Sequence, residues 1–280
     1  MIIRRFLLGL LFVLACGCAV AQTRLSTATS GVQVLTPPLL VPGLDRQRTI
    51  RVYLPPSYQQ GKRRYPVLYM HDGQNLFDDA TSYIGEWAVD ESMDALAKSN
   101  GIEVIVVGID HGQEKRINEL SPWPNPRFGP AEGRQYMEFV VGTVKPFIDR
   151  KFRTRRGRGD TGIMGSSLGG LSSHYAIFEY PKVFGKAGIF SPSYWFSAEV
   201  YPFTAARHLR PGTRLYLVAG DKEGDEPAAV VDSVKKMEAQ LRRSNSKLSL
   251  LVAIRPGAEH NEAFWKAEFP KAMIYLFGKP

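Results

Sequence analysis

The sequence predicts an α/β fold: a mostly parallel central sheet with antiparallel strands at its N-terminal edge and helices on both faces. Two observations lead to this prediction. Short apolar runs, of the kind found in strands buried on both faces, alternate along the chain with segments of helical spacing. Near the N-terminus the extended segments instead alternate polar and apolar residues, as half-buried antiparallel strands do.

The elements follow from local patterns, taken in chain order. The predicted edge strands are Val32–Leu35 and Arg48–Leu54, and Pro55-Pro56 ends the second of them. Near-continuous apolar runs predict the buried strands Tyr65–Met70, Ile102–Ile109, Thr161–Met164, Lys186–Phe190, Arg214–Ala219 and Leu248–Ile254. Apolar residues at helical spacing predict helices over Glu86–Ser99, Arg134–Lys151, Gly169–Tyr180, Glu199–Leu209, Glu226–Arg243 and Asn261–Phe277. The long segment Asp110–Gly133 is predicted to be a functional loop.

Residues 1–21 are predicted to be a secretory signal peptide. Arg4-Arg5 forms a positive n-region, residues 6–14 form an apolar stretch too short to span a membrane, and Ala19–Ala21 is an A-x-A cleavage site. We therefore expect a periplasmic or secreted protein without stable membrane insertion once the chain is cleaved after Ala21. A lipoprotein acylated at Cys16 is the less favoured alternative, because the lipobox before this cysteine is imperfect.

The remaining composition bounds the rest of the chain. With 280 residues, 44% of them hydrophobic, it can build a substantial core, and we expect one domain over residues 31–280. Both cysteines, Cys16 and Cys18, lie in the predicted signal peptide, so neither disulfides nor cysteine metal sites are expected. The net charge is +9, but no nucleic-acid-binding motif accompanies the basic runs, such as residues 150–156. They indicate a solvated basic face rather than a nucleic-acid partner.

A candidate nucleophile lies between a predicted strand and a predicted helix. Residues 165–169 match G-x-S-x-G, which places Ser167 at the apex of a sharp turn with its hydroxyl exposed. Small residues are needed beside it, because a Cβ would collide with the neighbouring turn. Ser166 is the other serine of the turn, but the motif register selects Ser167.

Partners for this serine are expected in the chain order serine, acid, histidine. His260 follows the last predicted strand, on the loop where the last helix begins, and is therefore the candidate general base. The turn at residues 220–226 carries four carboxylates, and spacing does not choose among them. Two backbone N–H groups must hold the oxyanion: one is that of Leu168, after the nucleophile, and the other is expected from residues 71–75.

Together these segments resemble the esterase family of α/β-hydrolases that includes enterochelin and feruloyl esterases, S-formylglutathione hydrolase and the mycolyltransferases. The resemblance runs from about residue 45 to the end. The matching blocks are YMHDGQNLFD (69–78), GEWAVDE (85–91), VGIDHGQEKRINELSPW (107–123), GIMGSSLGGL (162–171), FSPSYW (190–195), GDKEGDE (220–226) and GAEHNEAFW (257–265).

The resemblance implies an α/β-hydrolase fold and serine esterase activity without a cofactor or a metal. The family's acid is usually the last residue of a G-T-x-[DE] turn, which falls on Glu223 here. Asp221 stands where threonine is usual, so Asp221 and Asp225 stay open as alternatives. The family's first oxyanion donor follows an Asp-Gly pair, which implies the N–H of Gln74.

Four residues in loops near the expected site are candidates for substrate contacts. Trp123, Tyr194 and Trp195 could stack on a sugar or aryl group, although packing in the core or in a lid is an equal alternative. Arg116 could bind a substrate carboxylate, or pair with Glu119 in the same loop.

The sequence thus predicts a serine esterase acting on a small-molecule ester, with a siderophore or carbohydrate ester as the candidate substrate. An acyltransferase of the mycolyltransferase type is the first alternative, since the same nucleophile could pass its acyl group to an alcohol. A non-catalytic envelope binding protein on a hydrolase fold is the second, but it would need none of the three side chains.

Overall fold

Eight strands of the described chain form one sheet. The computed structural model describes residues 24–244 and 248–279, so the predicted signal peptide lies outside the described residues. The strands are β1 (Val32–Val41), β2 (Arg46–Tyr53), β3 (Val67–His71), β4 (Ile105–Ile109), β5 (Thr161–Ser166), β6 (Lys186–Phe190), β7 (Arg214–Gly220) and β8 (Ser249–Arg255).

The sheet is mostly parallel, as predicted. Its strand order is β1-β2-β4-β3-β5-β6-β7-β8. β1 pairs with β2, and β2 with β4, in antiparallel orientation, and every other pair is parallel. β1 continues to Val41, beyond the predicted end at Leu35, although Pro37 and Pro38 lie within it. An edge strand tolerates prolines, and the register shifts between Leu35 and Leu39, where they lie.

Helices follow most strands. They are α1 (Val89–Asn100), α2 (Arg116–Glu119), α3 (Gly133–Phe139), α4 (Lys145–Lys151), α5 (Leu168–Glu179), α6 (Val200–Ala205), α7 (Pro227–Ser244) and α8 (Glu262–Phe277). The predicted helix over Arg134–Lys151 is divided by a π-helical turn at Val140–Val144. The long loop after β4 is not structureless, since it contains a 3₁₀ turn at Gln113–Lys115 and then α2. None of the described helices is both long and apolar enough to cross a membrane.

The core lies on both faces of the sheet. Alternate residues of β3 enter different clusters: Val67 and Tyr69 pack on one face, and Leu68 and Met70 on the other. Side chains of α5 and α7 complete the first cluster, and those of α1 and α8 the second. The sheet is therefore covered by helices on both sides, which confirms the predicted α/β architecture.

Parallel pairing brings the ends of the inner strands to one edge of the sheet. Asp72 follows β3, Ser167 follows β5, Glu223 lies in the turn after β7, and His260 lies between β8 and α8. Residues up to 188 positions apart in sequence (Asp72 and His260) thus lie together where ligands bind in open α/β sheets.

Candidate active site

Ser167 occupies a strained turn between β5 and α5. Its backbone has φ +59° and ψ −123°, a conformation that L-residues rarely adopt. The backbone N–H of Ser167 donates to the carbonyl of Phe190 over 3.0 Å, which ties the turn to the end of β6. Glycines are required beside it: a Cβ on Gly165 would lie 2.9 Å from the carbonyl carbon of Gly169, and one on Gly170 would lie 2.7 Å from the oxygen of Phe190. The serine hydroxyl lies 3.2 Å from that of Ser193.

Glu223 is the carboxylate that reaches His260. Its Oε2 lies 2.9 Å from Nδ1 of His260, and the side chain of the acid is only 1% exposed, against 35% for the histidine. Asp221 instead accepts the N–H of Gly257 at the surface, over 2.7 Å. Asp225 is also exposed. Among the three carboxylates left open by the sequence, the structure brings Glu223 to the imidazole.

Two side chains that the sequence analysis did not single out form a hydrogen-bond chain to Glu223. Ser191, immediately after β6, donates its hydroxyl to Oε1 of Glu223 over 2.6 Å. Trp265, in α8, donates its indole N–H to the Ser191 hydroxyl over 2.8 Å. Both residues lie in the sequence blocks quoted above, but a block identifies a segment and gives no information on which side chains touch.

Ser167 and His260 line one cavity of 470 Å³. Its apolar lining includes Leu76, Trp87 and Trp265, while its polar lining includes Asp72, His111, Arg116 and Glu262. Tyr83 and Ile84 also line it although they are 81% and 71% exposed, so they form its rim. Among residues 24–244 and 248–279, no three His, Cys, Asp or Glu side chains are arranged to hold a metal ion.

The two predicted oxyanion donors lie at the starts of helical turns. Leu168 is the first residue of α5, so its N–H has no acceptor within the helix. Gln74 lies in a 3₁₀ turn at Gly73–Asn75, which Asp72 introduces with φ +56°. The Gln74 side chain accepts the N–H of His111 over 3.2 Å, which ties this turn to the end of β4.

Arg116 forms a bidentate ion pair with Asp72 rather than with Glu119. Its Nε and one terminal nitrogen lie 2.6 and 2.8 Å from the two carboxylate oxygens of Asp72. Burial alone would raise the pKa of Asp72, but the charge and hydrogen bonds of Arg116 outweigh it and lower that pKa. Glu119 is buried and pairs with Arg46 and Arg48. Of the two alternatives for Arg116, pairing with Glu119 is therefore wrong, because each of these two residues pairs with a different opposite charge.

A second imidazole lines the cavity but is held neutral. His71 is 2% exposed, and burial lowers its pKa to about 4. Its Nδ1 lies 2.9 Å from the hydroxyl of Tyr136. Burial also raises the pKa of Glu262 at the start of α8. Of His71 and His260, His260 is therefore the more solvent-accessible.

Three of the four predicted substrate contacts lie away from this cavity. Trp123 is buried and packs edge-on against Tyr175, with ring centroids 5.9 Å apart. Tyr194 is also buried, and its hydroxyl lies 2.9 Å from Nδ1 of His174. Trp195 is 64% exposed, but neither it nor the other two lines the cavity. Arg116 alone of the four does, so Tyr194 and Trp195 stay outside the cavity although Ser193, in the same loop, contacts Ser167.

The sheet order and the serine turn are those of an α/β-hydrolase. Comparison with sequence families identifies one family within this fold. Residues 42–276 match the model of the family described as "Putative esterase", and this chain belongs to that family. The protein is therefore a carboxylic ester hydrolase.

The chain is also similar to individual proteins. YbbA of Bacillus subtilis (strain 168), an uncharacterized protein, is 31% identical over 246 residues, which cover 83% of this chain and 93% of YbbA. A siderophore enterobactin esterase of Emericella nidulans is 32% identical over 167 residues, 54% of this chain and 53% of that protein. The solved structure of an IroE-like serine hydrolase from Shewanella oneidensis has the same fold, with a TM-score of 0.74 at 19% identity, covering 88% of this chain and 80% of that one.

Proposed function

We propose that the protein hydrolyses carboxylic esters through an acyl-enzyme intermediate on Ser167, with His260 as general base and Glu223 as the acid that orients it. One observation carries this proposal: the buried carboxylate lies 2.9 Å from the imidazole, which shares a cavity with a serine held at φ +59°. A serine hydroxyl is a poor nucleophile without such a base.

The hydrogen bond to Glu223 selects the working tautomer of His260. A carboxylate can only accept, so Nδ1 of the histidine carries the proton and Nε2 is left as the base. The Ser167 hydroxyl now bonds to Ser193, and it turns towards Nε2 when an ester occupies the cavity. The burial of Glu223 strengthens its interaction with the imidazolium that forms.

The reaction then proceeds in two halves. Ser167 Oγ attacks the ester carbonyl while its proton passes to His260, and the N–H groups of Leu168 and Gln74 stabilise the oxyanion. His260 returns the proton to the leaving alkoxide, so an alcohol departs and an acyl-serine remains. Water, deprotonated by the same histidine, attacks this acyl group and releases the carboxylic acid.

The proposed substrate is a siderophore ester, with a carbohydrate ester as the second candidate. The name of the Emericella relative supports the first, and the sequence resemblance to feruloyl esterases supports the second. A cavity of 470 Å³ with both aromatic and charged lining suits a small ester that bears polar groups. A panel of catecholate lactones, feruloylated and acetylated sugars and short-chain esters, compared by kcat/KM, tests this choice.

Export to the periplasm or the medium is also proposed, from the pattern of residues 4–21. Sequencing the N-terminus of the protein recovered from the producing cells tests it. A first residue of Gln22 agrees with the proposal, whereas a lipidated cysteine would favour the lipoprotein alternative.

A fluorophosphonate probe tests the chemistry most directly. We expect it to label Ser167, and we expect Ser167→Ala and His260→Ala each to remove nearly all turnover while the circular dichroism spectrum is unchanged. A folded wild-type protein that stays unlabelled would contradict the mechanism and favour a binding protein. Added alcohols separate hydrolysis from transfer, since acyl-alcohol products formed in preference to the acid would identify an acyltransferase.

A further inference from the structure

We propose that Ser191 and Trp265 are positioning residues, which hold the Glu223 carboxylate in the one orientation that serves His260. This inference rests on the proposed function and deepens it. Neither residue supplies an atom that reacts in the proposed mechanism. Ser191 acts through the acid, whereas Trp265 acts through Ser191 and also through its own contact with His260.

The direction of the hydrogen-bond chain is fixed by its two ends. An indole N–H can only donate and a carboxylate can only accept. The Ser191 hydroxyl between them must therefore accept from Trp265, over 2.8 Å, and donate to Glu223, over 2.6 Å. Because the indole N–H occupies a lone pair of the Ser191 hydroxyl, the hydroxyl proton points to a single acceptor, Oε1 of Glu223.

The two carboxylate oxygens of Glu223 have different hydrogen-bond partners. Oε1 accepts both the Ser191 hydroxyl and the N–H of Gly220, each over 2.6 Å. Oε2 is the oxygen that faces His260. Rotation of the carboxylate would break both bonds to Oε1 in a site where Glu223 and Ser191 are each 1% exposed, so no water could replace them.

Trp265 also contacts the histidine directly. Its ring meets that of His260 edge to face, with centroids 5.1 Å apart and planes at 85°. Its backbone N–H donates to Asn261, the residue that caps α8 immediately after the histidine. The indole also packs against the ring of Trp87, with ring centroids 5.7 Å apart. One side chain therefore restrains both the imidazole and, through Ser191, its carboxylate.

Ser191 holds its hydroxyl in place from a left-handed backbone. Its φ is +42°, and its N–H donates to the carbonyl of Val218 over 2.7 Å. Glycine is the residue that adopts such a conformation at little cost. A serine at this position indicates that the hydroxyl has a use that glycine would not supply, and its two bonds identify that use.

Three variants of the purified full chain test the proposal. Ser191→Ala removes the hydroxyl, and Ser191→Gly removes it while suiting the left-handed backbone, so the second variant covers the case in which the first fails to fold. Trp265→Phe removes the indole N–H together with part of the ring surface, and it keeps a smaller aromatic ring beside His260. Ser57→Ala is the matched control, because its hydroxyl bonds to Tyr65 at the opposite edge of the sheet.

We expect both Ser191 variants to lose about 10-fold or more in kcat, as for a buried hydrogen bond to a charged group, with KM unchanged within about twofold. Trp265→Phe should lose less, because Ser191 can still donate to Glu223. In a Glu223→Gln background, Ser191→Ala should have almost no further effect on the rate of fluorophosphonate labelling, since the hydroxyl acts through the carboxylate.

Two results would overturn the proposal. One is a folded Ser191→Gly protein with the kcat of the wild type. The other is an equal loss from Ser191→Ala with and without Glu223→Gln, which would assign the serine a merely structural role. Either result in an active wild-type enzyme leaves the proposed ester hydrolysis intact, whereas a wild type without turnover or labelling would remove both proposals together.

Discussion

Replacement of Glu223 by glutamine tests the proposed mechanism most severely, because the structure determines how the amide must sit. The amide has one accepting oxygen and one donating NH₂ group. Two donors, the Ser191 hydroxyl and the Gly220 N–H, already point at the position of Oε1. The amide oxygen must take that position, which leaves the NH₂ group facing His260.

The histidine then changes tautomer. Its Nδ1 must accept from the amide, so its proton moves to Nε2, where it blocks transfer from Ser167. The equivalent change in a serine protease triad costs about 10⁴-fold in kcat, and we expect a loss of about 10³- to 10⁴-fold here. The fold should be retained, since the amide is isosteric with the carboxylate and keeps both donors to Oε1 satisfied.

The assay is kcat on a chromogenic short-chain ester, with thermal unfolding measured in parallel. Asp221→Asn and Asp225→Asn are the matched controls, and we expect each to retain activity within a few-fold. The reasoning fails if the folded Glu223→Gln enzyme keeps more than about a tenth of its turnover, or if either control loses more than it does.

Three further predictions concern stability. Arg116→Gln leaves the Asp72 carboxylate buried without its partner, and we expect a loss of about 3 kcal/mol in the free energy of unfolding at pH 7. The pKa of Asp72 in the folded wild type is lowered below 3.8, so the stabilisation by this ion pair is present above pH 3.8 and is lost as the pH falls through the lowered pKa. The difference in unfolding free energy between the wild type and the variant should therefore shrink at acid pH, and a pH-independent difference would contradict the pairing. Burial lowers the pKa of His174 from 6.5 to about 3, so as the pH falls between these values the unfolded chain binds a proton that the folded chain does not. This residue therefore lowers the free energy of unfolding of the wild type by about 1.4 kcal/mol for each pH unit of acidification. Urea titrations at several pH values should show that the unfolding free energy of His174→Gln depends on pH less steeply by that amount. Gly220→Ala would place a Cβ 2.1 Å from the carbonyl oxygen of Ala258, so we expect lower stability by about 1–3 kcal/mol and a lower kcat, and an unchanged melting temperature would show that the loop yields freely.

The sequence predicted the sheet well because buried parallel strands leave a strong local signal. The apolar run at 65–70 became β3, and the strand-turn-helix pattern around Ser167 became β5 and α5. Element boundaries were harder, since they depend on tertiary contacts. Residues 86–88, for example, stay outside α1, where Ala88 adopts φ +48°.

Contacts between distant side chains could not be predicted in the same way. Trp123 and Tyr194 are aromatic residues of the kind that stack on sugar or aryl groups. The sequence does not show whether an aromatic side chain in a loop points into the core or towards a ligand site. In the structure both pack into the core. One alternative for Arg116 was pairing with Glu119, three residues along the chain, whereas its partner is Asp72, 44 residues away. Ion pairs of this kind are set by how strands are arranged in the sheet.

The proposed catalytic apparatus is distributed over the ends of β3, β5, β6, β7 and β8, and each strand end supplies a different part of it. No single strand end carries more than a portion of the site, and β8, which precedes His260, pairs with β7 alone among the described strands. Reactivity towards an active-site label is consequently a measure of complete assembly of the sheet. A stoichiometric label would count correctly folded molecules in a preparation, and their number would follow the global unfolding transition rather than the fraying of any single loop.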